Sequence, residues 1–267
     1  MTAVPEADER FSVDLPSGQV EVSAAYERPD DAWATIMIAH GAGAGYRHPF
    51  LLGFARGMRD QGVATLRFNF PYVEAGRRMP GPAAHAVATW AAALSFVGER
   101  SGAEPLWASG KSYGGRMASM AAAEAAIAPA GLVYLGYPLH PPGDPSKARM
   151  AHLPAVPQPQ LFVEGTNDPF IDPHSQLDQA VGSCQDATIA WIEGGGHSFE
   201  VKGRKRPADE VGAGLAPTWP AGAFWPPPVT IDHVLVDNRC PVDTYGVLSI
   251  AGTDHLAVVT KFVVPAP

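Results

Sequence analysis

The constraint that reaches furthest in this chain is a single run, Trp107 to Gly115 (W-A-S-G-K-S-Y-G-G), which centres Ser112 in a Gly-x-Ser-x-Gly pentapeptide. The apolar run Pro105 to Ala108 precedes it. An alanine-rich stretch follows through Met117, Met120, Ala121, Glu124 and Ile127, with high helix propensity and no internal Gly or Pro. The chain must therefore pass from strand to helix within a residue or two. Only positions without a Cβ, Gly110 and Gly114, let neighbouring backbone come close enough for that turn, which holds the serine hydroxyl out of the sheet.

About one chain in seven of this composition would carry the pentapeptide by chance, so its context decides. Gly110-Lys111-Ser112 also matches the end of the phosphate-binding loop G-x-x-x-x-G-K-[ST]. That reading fails at its first position, where Pro105 has no amide to offer a phosphate.

The 267 residues suffice for one α/β domain with a large core and an appendage, and Gly and Pro at about a fifth make it loop-rich. A formal net charge of −8 opposes nucleic acid or an anionic membrane as the main partner. The one basic run, Lys202 to Arg206, reads as a solvated loop. No run of eighteen apolar residues occurs, and Met1 to Arg10 is acidic rather than signal-like, so a cytoplasmic protein is expected. Cys184 and Cys240 lack C-x-x-C spacing and read as free thiols.

Strand-like and helix-like runs alternate, which predicts a doubly wound, mostly parallel sheet with helices on both faces. Phe11 to Val13 and Val20 to Tyr26 read as an opening hairpin turning at Ser17-Gly18. Ala34 to Ala39 reads as a buried strand running into the glycine-rich loop His40 to Gly45. Phe50 to Arg59 and Ala83 to Val97 read as helices, and Val63 to Phe70 and Gly131 to Leu135 as strands. Pro138 to Pro154 is a proline-punctuated loop too short for a folded cap. Gln160 to Glu164 and Thr188 to Ile192 read as strands whose following loops carry Asp168 and His197 at the carboxyl edge of the sheet, where ligands bind in open α/β sheets.

A serine hydroxyl is a poor nucleophile near neutrality. It needs a base that works at that pH and a carboxylate to orient the base and stabilise its charged form. The order Ser112, Asp168, His197, each in a loop after a strand, offers that set. As a turn residue Asp168 would leave Asp172 or Glu193 as the acid. His40 reads as a stabiliser of its own loop, and Arg67, Asn69 and Arg116 as structurally paired residues rather than substrate contacts.

With H-G-A-G at 40–43, L-R-F-N-F-P-Y at 66–72, G-K-S-Y-G-G-R at 110–116, G-T-N-D-P-F at 165–170 and G-G-G-H-S-F at 194–199, the chain resembles the α/β-hydrolase superfamily. Within it, the small cap-less, dienelactone-hydrolase-like members are similar. The resemblance implies Ser112 as nucleophile, His197 as general base and Asp168 as orienting acid. It also implies an oxyanion hole from the amide of Tyr113 and one amide of the His40 to Gly43 loop, taken here as Ala42. A serine esterase of small carboxylic esters, with no metal or cofactor, is the activity implied.

The α/β-hydrolase domain is expected to span residues 1–215, with only a weak helix over 207–215. A Pro-rich linker follows over 216–228, then a β-rich extension over 229–267. Its I-D-H-V-L-V and G-T-D-H-L-A-V-V resemble the carboxyl-terminal end of the endonuclease/exonuclease/phosphatase family, which implies metal and acid/base work for Asp254 and His255 with Asp232 orienting. The other half of that site is not recognisable, so the extension reads as a fused remnant that packs its strands on the domain or pairs a homo-oligomer. The alternatives to an esterase are a non-catalytic hydrolase-like binding protein and a metal-dependent phosphoesterase working through the extension.

Overall fold

A computed structural model describes residues 8–201, 204–205, 242–249 and 256–262 of the chain. The opening hairpin pairs β1 (Asp8–Leu15) with β2 (Gly18–Glu27), and β2 pairs antiparallel with β4 (Val63–Phe68). From there the sheet is parallel through β3 (Ala34–Ala39), β5 (Leu106–Lys111), β6 (Gly131–Leu135), β7 (Gln160–Gly165) and β8 (Ala187–Ile192). The spatial order is β1-β2-β4-β3-β5-β6-β7-β8.

Side chains of β3 show why the sheet needs cover on both faces. Met37 and Ala39 join one apolar cluster, and Ala34, Ile36 and Ile38 join the other, the period-2 alternation of a strand buried on both sides. Helices α3 (Ala83–Gly98), α4 (Tyr113–Ala123) and α5 (His174–Gly182) supply apolar residues to the first face, with Trp90 fully buried against Phe68. Helix α1 (Pro49–Asp60) covers the second through Leu51, Phe54 and Ala55.

Strand β4 stops at Phe68 rather than at Phe70, because Pro71 opens the short helix α2 (Pro71–Glu74) and holds Phe70 in an extended turn before it. Helix α5 has no counterpart in the sequence reading. With Leu177 and Ala180 as its buried residues, its apolar stripe is too thin to announce itself by periodicity.

In the basic run, Arg204–Lys205 pairs antiparallel with Glu200–Val201 as a two-residue ladder, where a loop was expected. Cys184 is a half-buried free thiol. Two of the β-rich runs form a hairpin, Val242–Ser249 with Leu256–Phe262. The expected weak helix at 207–215, the linker, the run Val229 to Val236, Cys240, Asp232, Asp254 and His255 lie outside the described residues. Among the described residues no helix is long and apolar enough to cross a membrane.

Trp90 is the largest fully buried side chain among the described residues, so Trp90→Ala should lower the unfolding free energy by about 3–5 kcal/mol. A fall in urea midpoint with an unchanged m value checks this.

Candidate active site

Three parallel strands deliver the three predicted residues to one edge. Ser112 follows β5, Asp168 follows β7, and His197 lies in the loop after β8. The turn at Ser112 is as tight as the glycines foretell: a Cβ on Gly110 would lie 2.3 Å from the Gly115 amide nitrogen, and one on Gly114 would lie 2.6 Å from the Ala39 carbonyl oxygen. Helix α4 is thereby seated directly on the ends of β5 and β3. Ser112 takes φ 50° and ψ −114°, a left-handed conformation that costs a non-glycine residue about 1–3 kcal/mol.

The Ser112 hydroxyl donates to His197 Nε2 at 2.9 Å, and His197 Nδ1–H donates to Asp168 Oδ2 at 2.6 Å. This pairing fixes the imidazole tautomer, because the ionised carboxylate only accepts. Asp168 is buried, and its other oxygen accepts from the Phe170 amide at 2.8 Å. The Phe170 ring stacks on the imidazole, with centroids 4.1 Å apart. Burial pulls the His197 pKa below the ordinary 6.5, and Lys111 adds to this, while Asp168 and Glu200 oppose it.

The substitute acids stand aside: Asp172 and Glu193 are exposed, and Asp168 is the carboxylate on His197. Tyr113 and Ala42 both line the cleft in front of Ser112. Among the described residues neither backbone amide donates to a protein acceptor, and both belong to segments that meet at the serine, since a Cβ on Gly41 would lie 3.7 Å from Ser112 Cβ. His40 is fully buried and clamps this loop: its Nε2 accepts from the Phe70 amide, and Nδ1 donates to the Gly41 carbonyl at 2.8 Å. Burial lowers its pKa to about 4.

Of the three polar residues expected to be structurally paired, two are. Arg67 is buried on Glu27 and the Tyr46 carbonyl, and Asn69 bonds the Tyr46 amide and Glu74. Arg116 instead lines the cleft, one helical turn after Ser112; its neighbours of like charge include Arg149, and its buried Nε has no hydrogen-bond partner.

The cleft has a volume of about 810 Å³. Arg56, Lys111, Arg116 and Arg149 line it and, among the described residues, no carboxylate does, in a chain whose formal net charge is −8. Sequence reasoning missed this concentration of positive charge, because the four come from two helices, one loop and one strand end. It also missed Phe170, although Asp-Pro-Phe stands in plain view.

His197 should titrate below 6.5, and Asp168→Asn should drive its midpoint lower still, by about 1 unit, because the carboxylate favours the imidazolium. NMR of the imidazole protons in the folded protein measures both.

The alpha/beta hydrolase domain family model matches residues 32–211. Solved structures with a similar fold include a dienelactone hydrolase from Anabaena variabilis, 21% identical over 79% of this chain and 96% of that one, with a TM-score of 0.61. Another is an α/β serine hydrolase without lid from Xanthomonas campestris, 21% identical over 73% of this chain and 88% of that one, with a TM-score of 0.56. A cold-adapted esterase from an Arctic intertidal metagenomic library is 18% identical over 72% of this chain and 86% of that one, with a TM-score of 0.55. The family match covers about two thirds of the chain and includes every residue of the Ser112, Asp168 and His197 array, so the chain belongs to the alpha/beta hydrolase domain family.

Proposed function

We propose that this protein is a serine hydrolase that cleaves small carboxylic esters through an acyl-enzyme. The observation that carries the reading is the unbroken hydrogen-bond chain from the Ser112 hydroxyl through His197 to buried Asp168, opening on the cleft. His197 takes the hydroxyl proton as Ser112 Oγ attacks the ester carbonyl, and Asp168 stabilises the imidazolium that forms. The oxyanion receives the amides of Tyr113 and Ala42, the former at the start of helix α4, where the helix dipole is positive. His197 then returns the proton to the departing alcohol. Water, activated by the same imidazole, releases the acid and restores the serine.

No folded cap stands between Gly136 and Gln160; the segment holds only two short 3-10 turns. An open cleft of this kind favours short acyl groups over long lipid chains. Its cations favour esters that also bear an anionic group, because Arg116 has no carboxylate partner among the described residues.

A fluorophosphonate probe should label the wild type, and Ser112→Ala and His197→Ala should each abolish labelling and reduce 4-nitrophenyl acetate turnover by about 10⁴-fold or more. Equal labelling of Ser112→Ala would place the nucleophile elsewhere. The same assay extends to charge: 4-nitrophenyl hydrogen glutarate should be hydrolysed with a higher kcat/KM than 4-nitrophenyl valerate, and Arg116→Gln should narrow that ratio about tenfold, which is worth one charge-assisted contact. A ratio indifferent to both ester charge and Arg116 would show that the cations serve another purpose.

A further inference from the structure

Lys111 stands immediately before Ser112 as the last residue of β5, yet its side chain serves the other half of the site. Its ammonium donates to the His197 carbonyl oxygen at 2.5 Å and lies 5.3 Å from the centroid of the Phe199 ring. The space it occupies exists because residue 136 is glycine. A Cβ there would lie 2.8 Å from Lys111 Nζ, 3.0 Å from the His197 carbonyl oxygen and 3.4 Å from His197 Cε1. Gly136 also takes φ 67°, a conformation costly for other residues, so both space and backbone at this point reserve the room for an ammonium.

The carboxyl groups around this ammonium come from three segments: Glu164 at the end of β7, Asp168 in the loop after it, and Glu200 after the histidine loop. Glu164 is fully buried, accepts from the Tyr137 amide at 2.6 Å, and has its pKa pushed well above the usual carboxyl range by burial. Glu200 accepts from the Ser198 amide at 3.0 Å. Around His197 itself, Asp168 and Glu200 favour the protonated ring, Lys111 opposes it, and Phe170 covers one face. Burial draws the Lys111 pKa down to about 8, which still leaves it charged through the acidic and neutral range where His197 titrates.

We infer that Lys111 is a positioning residue with an electrostatic role: it ties the histidine loop to the nucleophile strand, and its charge opposes protonation of His197. The inference deepens the reading of Ser112 and His197 as nucleophile and base. One side chain thereby couples the two reacting groups, since any shift of the β5 end that moves Ser112 also moves the anchor of His197. The Gly-Lys-Ser sequence that resembles a phosphate loop has its lysine turned to this work instead.

The test uses Lys111→Gln, which keeps a donor for the His197 carbonyl but removes the charge, Lys111→Met, which removes both, and Lys111→Arg, which keeps both. The His197 midpoint is read by NMR in the folded protein, and the pH dependence of fluorophosphonate labelling is read beside it. Both neutral variants should raise the midpoint by about 1 unit, so that labelling at pH 6 relative to pH 8 falls up to about tenfold below the wild-type ratio. Lys111→Arg should restore most of that ratio.

An unchanged midpoint in Lys111→Gln, or a loss of labelling uniform across pH, would overturn the inference. If Lys111→Met fails to fold, the glutamine variant decides alone. A raised midpoint in a protein whose wild type takes no label would uphold the lysine's role and sink the esterase reading.

Discussion

The close seating of helix α4 on the strand ends is the constraint from which the rest of the site follows. Gly110, Gly114 and Gly115 bring backbone against backbone at distances where a Cβ would collide with main-chain atoms, which cannot move aside as a side chain could. That contact holds Ser112 at φ 50°, a left-handed conformation, immediately before the first turn of α4. The loop after β3 closes on the serine from the other side, and buried His40 holds it there by bonding to two different segments. The strained serine and the loop beside it are thus one packing event.

The second organising element is electrostatic. Three carboxyl groups, Glu164, Asp168 and Glu200, gather behind His197, and each unpaired charge there would be costly in a buried setting. The arrangement spreads this cost: Asp168 is satisfied by His197 and the Phe170 amide, Glu200 bonds the Ser198 amide, and Glu164 bonds the Tyr137 amide through one oxygen while burial pushes its pKa up and favours the neutral form. Lys111 is the cation that faces all three. The front of the cleft carries further positive charge on Arg56, Arg116 and Arg149, so the imidazole sits between an acidic floor and a basic mouth.

The parts of this protein that were legible in the chain are those in which local chemistry and local shape coincide. Continuous apolar strands such as Ala34–Ala39 and Gly131–Leu135 sit where the apolar runs placed them, since a strand buried on both faces needs nothing but apolar residues. Ser112, Asp168 and His197 were readable because each stands in a loop directly after a strand, and parallel strands of one sheet bring such loops to one edge. Helix α5 was hidden by its thin apolar stripe, and the end of β4 was misplaced by two residues because Phe70 continues the hydrophobic run but precedes a proline. Arg116 was expected in a structural pair, and only the packing around it shows that its neighbours among the described residues include no carboxylate.

The sequence by itself determined the alternation of strands and helices, the sharp turn at Ser112 and the placing of Ser112, Asp168 and His197 in loops after strands, because these depend on neighbours in the chain and on residue type. Tertiary structure alone decided which acid meets His197, which arginine lines the cleft with no carboxylate partner among the described residues, and where the Lys111 ammonium goes. Those outcomes turn on contacts between residues far apart in the chain, such as Lys111 with His197 across β5 and the loop after β8, and on room left by a missing Cβ at Gly136. Distances of this kind are set by the register of the sheet and the packing of its loops, which no local pattern of residue types records.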